Sequence, residues 1–312
     1  GVDSALVTIT VLATDPRLVV VQSTGMGNDP VVSFTMNTAT GALTQVDNEV
    51  LGNNVSFGMG ADNLNDLVFV SRSGGNVVPF LVDAAGLMTP LPVLTGFTAP
   101  RALDGDNRLL YVADGLVGVD TINTFLFDGV QYNPVALGFT AASNNIRTVL
   151  ANSAIPALFT GSFGTLNLDG YTLAGTGQPN GIVAGSPLPF VTFPNALAYS
   201  PNNDMIISAN TEPANGELNT VDIDGAGNIL GLIDSHPLIG SNARAVAVHP
   251  NGFVYVAAGA GTTIINVFQV DAAGTITALP ALNQPAPGQV FSLAIDPTGS
   301  FLIYPVLDPI PP

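Results

Sequence analysis

The sequence predicts an all-β fold, a β-propeller of seven blades in which six are full four-stranded sheets and the C-terminal one is abbreviated. Three observations predict it. A unit of about 47 residues recurs along all 312 residues, with strand-turn anchors at Asp15, Asp62, Asp106, Asn152, Ser200, His249 and Asp296, which lie 44 to 49 residues apart by subtraction. Each unit holds several short segments in which Val, Ile, Phe, Tyr and Thr alternate between clusters of Gly, Pro, Asp and Asn, as half-buried strands require. A hairpin recurs in one phase, as Thr38-Ala39-Thr40-Gly41, Asp83-Ala84-Ala85-Gly86, Asp224-Gly225-Ala226-Gly227 and Asp271-Ala272-Ala273-Gly274. Its leading side chain can bond the turn's own backbone, and its closing Gly adopts positive φ at little cost. A fixed period of this length with several strands per unit is the mark of a propeller.

The units run over residues 5–50, 55–98, 100–141, 145–192, 194–241, 243–286 and 290–312, and together they predict one domain over residues 1–312. The clearest copy, from Arg244, reads RAVAVHPNGFVYVAAGAGTTIINVFQVDAAGTITALP. The fourth is the least regular: Leu168-Asp169-Gly170-Tyr171 and the glycine-rich 175–181 stand where the third and fourth strands are expected. The seventh offers Phe291 to Ile295, a turn, and Phe301 to Leu307 before a proline-rich end. A blade that is simply short, a truncated chain, and completion by a strand from a neighbouring molecule all account for it. Pro305 and the proline tail remove backbone donors and favour an edge closed to pairing.

Composition narrows the function. Six arginines, no lysine and 23 acidic residues, of which Glu49, Glu212 and Glu217 are the glutamates, give a net charge of -17. Such a surface repels nucleic acid and anionic membranes. Charged residues are only 9% of the chain, against roughly 25% in ordinary domains. The 47% apolar content and mean hydropathy of +0.44 exceed what a dissolved monomer needs, and predict that part of the surface is covered by further copies of the chain. No run of about 18 apolar residues exists, so no membrane-spanning helix is expected. Without cysteine there is no disulfide or thiolate metal site, and without lysine no Schiff base.

The repeat resembles that of the lactonase-like seven-bladed propellers, which include YVTN-repeat surface proteins, bacterial phosphogluconolactonases and carboxymuconate cycloisomerases. The resemblance is carried by PRALDGDNRLLYVAD at 100–114, NALAYSPNNDMIISANTEPANGELNTVDID at 195–224, RAVAVHPNGFVYVA at 244–257 and SLAIDPTGSFLIY at 292–304. It implies the fold; enzymes and inert surface modules share the same repeat.

Arg101, Arg147 and Arg244 each stand five residues before their unit's anchor, where the other units hold Thr10, Phe57, Asn195 and Phe291. Equal phase in a radial repeat places these arginines at one height beside a central channel, a partial ring able to hold a carboxylate or phosphate. Arginine at the start of such a strand also ties neighbouring blades together by bonding carbonyls and aspartates. In the resembled enzymes arginines at this position contribute to the site and the second strand often ends in Asn-Glu; Asn210-Thr211-Glu212 has one residue inserted. His236, ahead of Arg244, and Glu212 are the candidate proton carriers. His249 is a turn residue, and two histidines make no metal cage. Asp104-Gly105-Asp106-Asn107 coincides with a strand turn and lacks calcium-loop spacing. Asn54-Val55-Ser56 fits a glycosylation acceptor. No Gly-x-Ser-x-Gly elbow, phosphate-cradling motif or dinucleotide fingerprint occurs. The sequence thus predicts an exported, non-catalytic surface or assembly module of the cell exterior, without metal or cofactor. Its expected partners are copies of itself, polymerised through the last blade, or another extracellular protein. The alternative is a lactonase-like hydrolase or cycloisomerase acting on a small anionic sugar lactone or carboxylate.

Overall fold

The computed structural model describes residues 7–12, 17–22, 30–37, 39–51, 56–62, 65–115, 120–135, 138–141, 143–152, 154–200, 204–211, 216–259, 263–286, 288–295 and 300–304. The chain divides into two compact units, one of residues 1–141, 175–178 and 294–303, the other of residues 142–174, 179–293 and 304–312. Every sheet among the described residues is antiparallel, and six of the seven run in sequence order from a first strand to a fourth, the seventh having two strands. One 3-10 turn, Pro280–Leu282, interrupts this pattern.

In the first unit, sheet A comprises Val7–Leu12, Arg17–Gln22, Pro30–Met36 and Leu43–Val50. Sheet B comprises Ser56–Asp62, Leu67–Arg72, Asn76–Val82 and Met88–Pro90, with Leu94–Thr95 also paired to the third strand. Sheet C comprises Pro100–Asp106, Leu109–Asp114, Thr121–Phe127 and Tyr132–Pro134, with Phe139–Thr140 likewise on its third strand. Sheet G pairs Ala294–Ile295 with Leu302–Ile303. Asp296, Pro305 and the proline tail lie outside the described residues. The apolar core fills the spaces between successive sheets: Val31, Val68, Val70 and Phe80 form one cluster, and Phe69, Leu103, Leu110, Val112 and Tyr132 another. Met36, with Phe34, Phe301 and Ile303, packs sheet A on sheet G.

In the second unit, sheet D comprises Ile146–Ala151, Ala157–Ser162, Asn167–Leu173 and Pro179–Ile182, with Leu188–Pro189 on its third strand. Sheet E comprises Phe193–Ser200, Met205–Thr211, Glu217–Ile223 and Ile229–Pro237. Sheet F comprises Ala243–Val248, Phe253–Ala258, Ile264–Val270 and Ile276–Ala278, with Gln284–Pro285 on its third strand. Sheet D corrects the sequence reading, which saw no regular third strand here. Asp169 and Gly170 are poor strand formers, yet Leu168 to Tyr171 is buried throughout, and burial on both faces overrides local propensity.

The hairpins perform as their residues dictate. The carboxylate of Asp83 accepts from the amides of Ala85 and Leu87, at 2.9 Å each, and Asp224 and Asp271 repeat the arrangement. In sheet A the turn begins one residue earlier than its Thr38 phase suggests, because Asn37 Oδ1 receives the amides of Ala39 and Thr40. These hairpins also dock on the preceding sheet. Buried Ser33 donates to the carbonyl of Gly86 at 2.5 Å and buried Thr220 to that of Gly274 at 2.7 Å. Asp47 and Asp234, on fourth strands, accept the amides of Met88 and Ile276. The same pair of ties therefore joins sheets A to B and sheets E to F, a repeat in hydrogen bonding beneath the repeat in sequence.

Candidate functional site

The repeat position picked out in the sequence has a structural identity: it is a β-bulge. The register between first and second strands shifts between Ser56 and Gly58, Pro100 and Ala102, Ile146 and Thr148, Pro194 and Ala196, and Ala243 and Ala245. The extra residue is in turn Phe57, Arg101, Arg147, Asn195 and Arg244. A bulge breaks the strict alternation of faces and re-aims one side chain, which is how Arg101, Asn195 and Arg244 come to be half-buried, neither core nor ordinary surface.

Arg101 belongs to the first unit, where it is half-buried. Arg147 and Arg244 belong to the second, in which the first strand of sheet E packs beside the first strands of both D and F. Arg147, Asn195 and Arg244 thus occupy equal registers on three adjacent strands. Arg244 is half-buried with its guanidinium 4.1 Å from the centre of the Phe291 ring. Its Nε is buried and makes no hydrogen bond among the described residues. Burial lowers its pKa, and no carboxylate among the described residues opposes that shift. Asn195 donates from Nδ2 to the carbonyl of Ala243 at 2.8 Å, and Thr211 donates to the same oxygen at 2.6 Å. This fixes the backbone that carries Arg244. Arg147 is exposed; its guanidinium lies 5.4 Å from the ring centre of Phe163, which meets Phe193 edge-on at 4.4 Å.

His236 lies on the fourth strand of sheet E, opposite Leu218, three strands from the sheet's first, or about 14 Å at the usual strand spacing. Its Nδ1 donates to the carbonyl of Pro237 at 2.8 Å and its ring packs edge-on to Phe268 at 5.4 Å. Glu212 lies outside the described residues. Glu217, opposite Asn210 across the second and third strands, accepts from the Thr192 hydroxyl at 3.3 Å. His249 Nδ1 accepts the Asn251 amide within its turn. Asp104 accepts the amide of Gly105, and no three metal-ligating side chains come together among the described residues. Sequence reasoning missed the aromatic backing of Phe291 and Phe163 and the backbone-holding role of Asn195. Only the shared phase of Asn195 and Phe291 with the arginines hinted at them.

A desolvated arginine on an aromatic face is a strong donor to a planar carboxylate or phosphate, since the ring holds the guanidinium plane while its edge keeps its N–H groups. The arrangement offers charge and orientation.

The antiparallel sheets in one repeating phase define the all-β propeller class, and solved structures share that fold. The protein described as a "putative 6-phosphogluconolactonase" from Bacteroides uniformis superposes with a TM-score of 0.76 at 15% identity over 88% of this chain and 84% of that one. The WD40 repeats of RRP9 give 0.71 at 11% identity over 98% and 88%. A chain of the mitotic checkpoint complex gives 0.69 at 13% identity over 96% and 83%. At such identities the likeness establishes fold alone. No protein-family model matches the sequence, and no curated protein matches it. Among the described residues no helix is long and apolar enough to cross a membrane.

Proposed function

We propose that this chain is a non-catalytic propeller module of the cell exterior that associates with further copies of itself through its outer strands. The observation that carries this reading is the fourth strand of sheet E, Ile229–Pro237, the longest strand among the described residues at nine residues. It is the outermost strand of its sheet and exposes Leu230 (61%), Leu232 (49%) and Ile233 (37%). Edge strands of soluble proteins are ordinarily guarded by lysine, proline, bulges or brevity; this one has its proline only at the end, the chain has no lysine, and its two register shifts, at Leu230 and Ile233, turn these apolar side chains outward. Its carboxylate, Asp234, is engaged with the amide of Ile276. Although its Ile229 and Ser235 amides are engaged, an apolar edge of this kind suits antiparallel pairing with the same edge of a second copy. The presence of a propeller of the same fold in the mitotic checkpoint complex supports the general use of such modules in protein assemblies. Sheet G, two-stranded among the described residues, is a second place where a neighbour's strand could add.

Sedimentation across a concentration series tests this. The wild-type chain is expected to self-associate, and the double variant Leu230→Lys, Leu232→Lys to be monomeric, each lost aliphatic contact being worth about 1.5–3 kcal/mol and the pair about a hundredfold or more in affinity. A wild type that stays monomeric up to its solubility limit overturns the reading.

Arg244 favours a second reading, a small-anion site of lactonase-like type in which Arg147 and Arg244 hold a carboxylate or phosphate and Glu212 moves the proton, His236 standing too far from the first strands to do so. Gluconate binding by calorimetry and hydrolysis of its lactone are the measurements. Arg244→Gln, which keeps the stem but removes the charge, should weaken gluconate binding by about tenfold or more; unchanged binding removes Arg244 from any such site.

A further inference from the structure

Asp169, on the third strand of sheet D, is 0% exposed, and neither carboxyl oxygen makes a hydrogen bond among the described residues. Opposite it on the second strand is Thr160, also 0% exposed, whose hydroxyl is likewise without a partner. Burial pushes the Asp169 carboxyl above the usual carboxylate range, and the nearby Ser143 hydroxyl opposes this without reaching hydrogen-bond geometry. No charge among the described residues compensates. The strands Ala157–Ser162, Pro179–Ile182 and Leu188–Pro189 carry no titratable side chain, and its own strand adds Tyr171 alone. The first strand of sheet D carries Arg147, which is exposed, and that of sheet E carries Tyr199, whose phenol donates to Asp204.

Sheet F shows what this position can do, although the equivalent Asn219 of sheet E leaves its Nδ2 without a partner among the described residues. Counting two residues on from each bulge and crossing the sheet leads from Arg101 to Asn123, from Arg147 to Asp169, from Asn195 to Asn219 and from Arg244 to Asn266. In sheet F, Asn266 uses both ends of its amide on one residue: Oδ1 accepts from the Ile239 amide at 2.9 Å and Nδ2 donates to the Ile239 carbonyl at 3.1 Å. Ile239 lies five residues before Arg244, so the amide pins the segment that delivers the arginine. In sheet D the place equivalent to Ile239, five residues before Arg147, lies outside the described residues, and Ser143 is the residue that follows it. A carboxyl group offers one donor and one acceptor, as an amide does, only while it carries its proton; ionised, it is acceptor-only in a dry site.

We propose that Asp169 is a proton-dependent latch: as a neutral acid it stays sealed beside the 143–145 segment, and on ionisation it forces that segment, and with it Arg147, open toward water. The segment has built-in reporters. The amide of Phe163 donates to the carbonyl of Asn145 at 3.1 Å and that of Gly164 to the carbonyl of Asn144 at 3.2 Å. Thr165 Oγ1 donates to Ser143 Oγ at 2.7 Å, and Phe163 is the ring beneath Arg147. Opening the segment lets the carboxyl ionise freely. The opening constant therefore rises about tenfold per pH unit from about pH 4, the open-state value, until the folded-state value is reached. The stabilising contribution of the neutral acid is complete below that window and lost as pH rises through it.

The test is amide hydrogen exchange of Phe163 and Gly164 in the full chain and in Asp169→Asn, an isosteric change that installs the side chain found in three other sheets, read as the ratio between the two proteins at each pH. The ratio is expected to grow by about tenfold per pH unit in favour of the asparagine variant across that window. A ratio independent of pH overturns the proposal. So does a ¹³C titration of the wild-type carboxyl centred at about 4, the value of an unperturbed aspartate.

Discussion

Replacing Phe69 by alanine is expected to destabilise the first unit by about 3–5 kcal/mol, the upper range for a buried aromatic truncation. Phe69 is on the second strand of sheet B and is 0% exposed, in contact with the cluster of Leu103, Leu110, Val112 and Tyr132 contributed by sheet C. Tyr132 meets it edge-on, with ring centres 5.3 Å apart and planes at 83°, a pairing that adds about 0.5–1.5 kcal/mol to the burial. The space it fills is reserved on the partner sheet as well. A methyl group on Gly105 would lie 2.5 Å from the Phe69 ring, so the glycine is there to admit the phenyl group. Alanine leaves a void between two sheets whose backbones are held elsewhere: the Arg108 amide donates to Asp62 at 2.6 Å and keeps sheet C against sheet B. Because that tie resists collapse, the cavity stays open and the cost falls toward the top of the range. Phe69→Leu should cost less than half as much. Chemical denaturation followed by far-UV circular dichroism measures both, and a loss under about 1.5 kcal/mol for alanine would show that the sheets move together to fill the gap.

The architecture was legible because its repeat carries redundancy. Seven anchors in one phase, with Asp83, Asp224 and Asp271 leading like hairpins, specify strands, turns and their order before any pairing is known. Pairing itself was not legible. The shared phase of Arg101, Arg147 and Arg244 marked a special position, but that the position is a bulge depends on which residue of the second strand each neighbour faces, a fact spread over two segments. Asn195 fell in the same phase and looked like a gap in an arginine series, although its amide holds the carbonyl next to Arg244. The exposed edge at Leu230, Leu232 and Ile233 was hidden for a different reason. Alternation of apolar residues tells that a strand is half-buried, and a strand with apolar residues on both faces reads as interior even when, as here, it is the last in its sheet. Asp169 was hidden by the opposite error, since Asp-Gly suggests a turn and the carboxyl is instead sealed within a regular strand.

Gly185→Ala is expected to cost about 3 kcal/mol or more in the second unit, through two effects that sum at one atom. Gly185 has φ of +78°, a left-handed conformation that disfavours any Cβ by roughly 1–2 kcal/mol. The added methyl would also fall upon the carbonyl oxygen of Ile229, which opens the fourth strand of sheet E. Neither side can give way cheaply, because the turn is bonded to that strand on both sides of the glycine's neighbour: Ile229 donates its amide to the carbonyl of Ala184 at 2.9 Å, and the amide of Ala184 donates to Asn228 Oδ1 at 3.2 Å. Relieving the clash means parting sheets D and E there and losing those bonds, at about 0.5–1.5 kcal/mol each. Gly225 provides the control. It lies in the Asp224–Gly227 hairpin of the same sheet, and a Cβ there would meet nothing within 4 Å, so Gly225→Ala should change stability by no more than about 0.5 kcal/mol. Equal midpoints for the two variants in a denaturant titration would refute the close docking of the 183–186 turn, and with it the idea that each sheet's outer turns are the clamps that set its distance from the next.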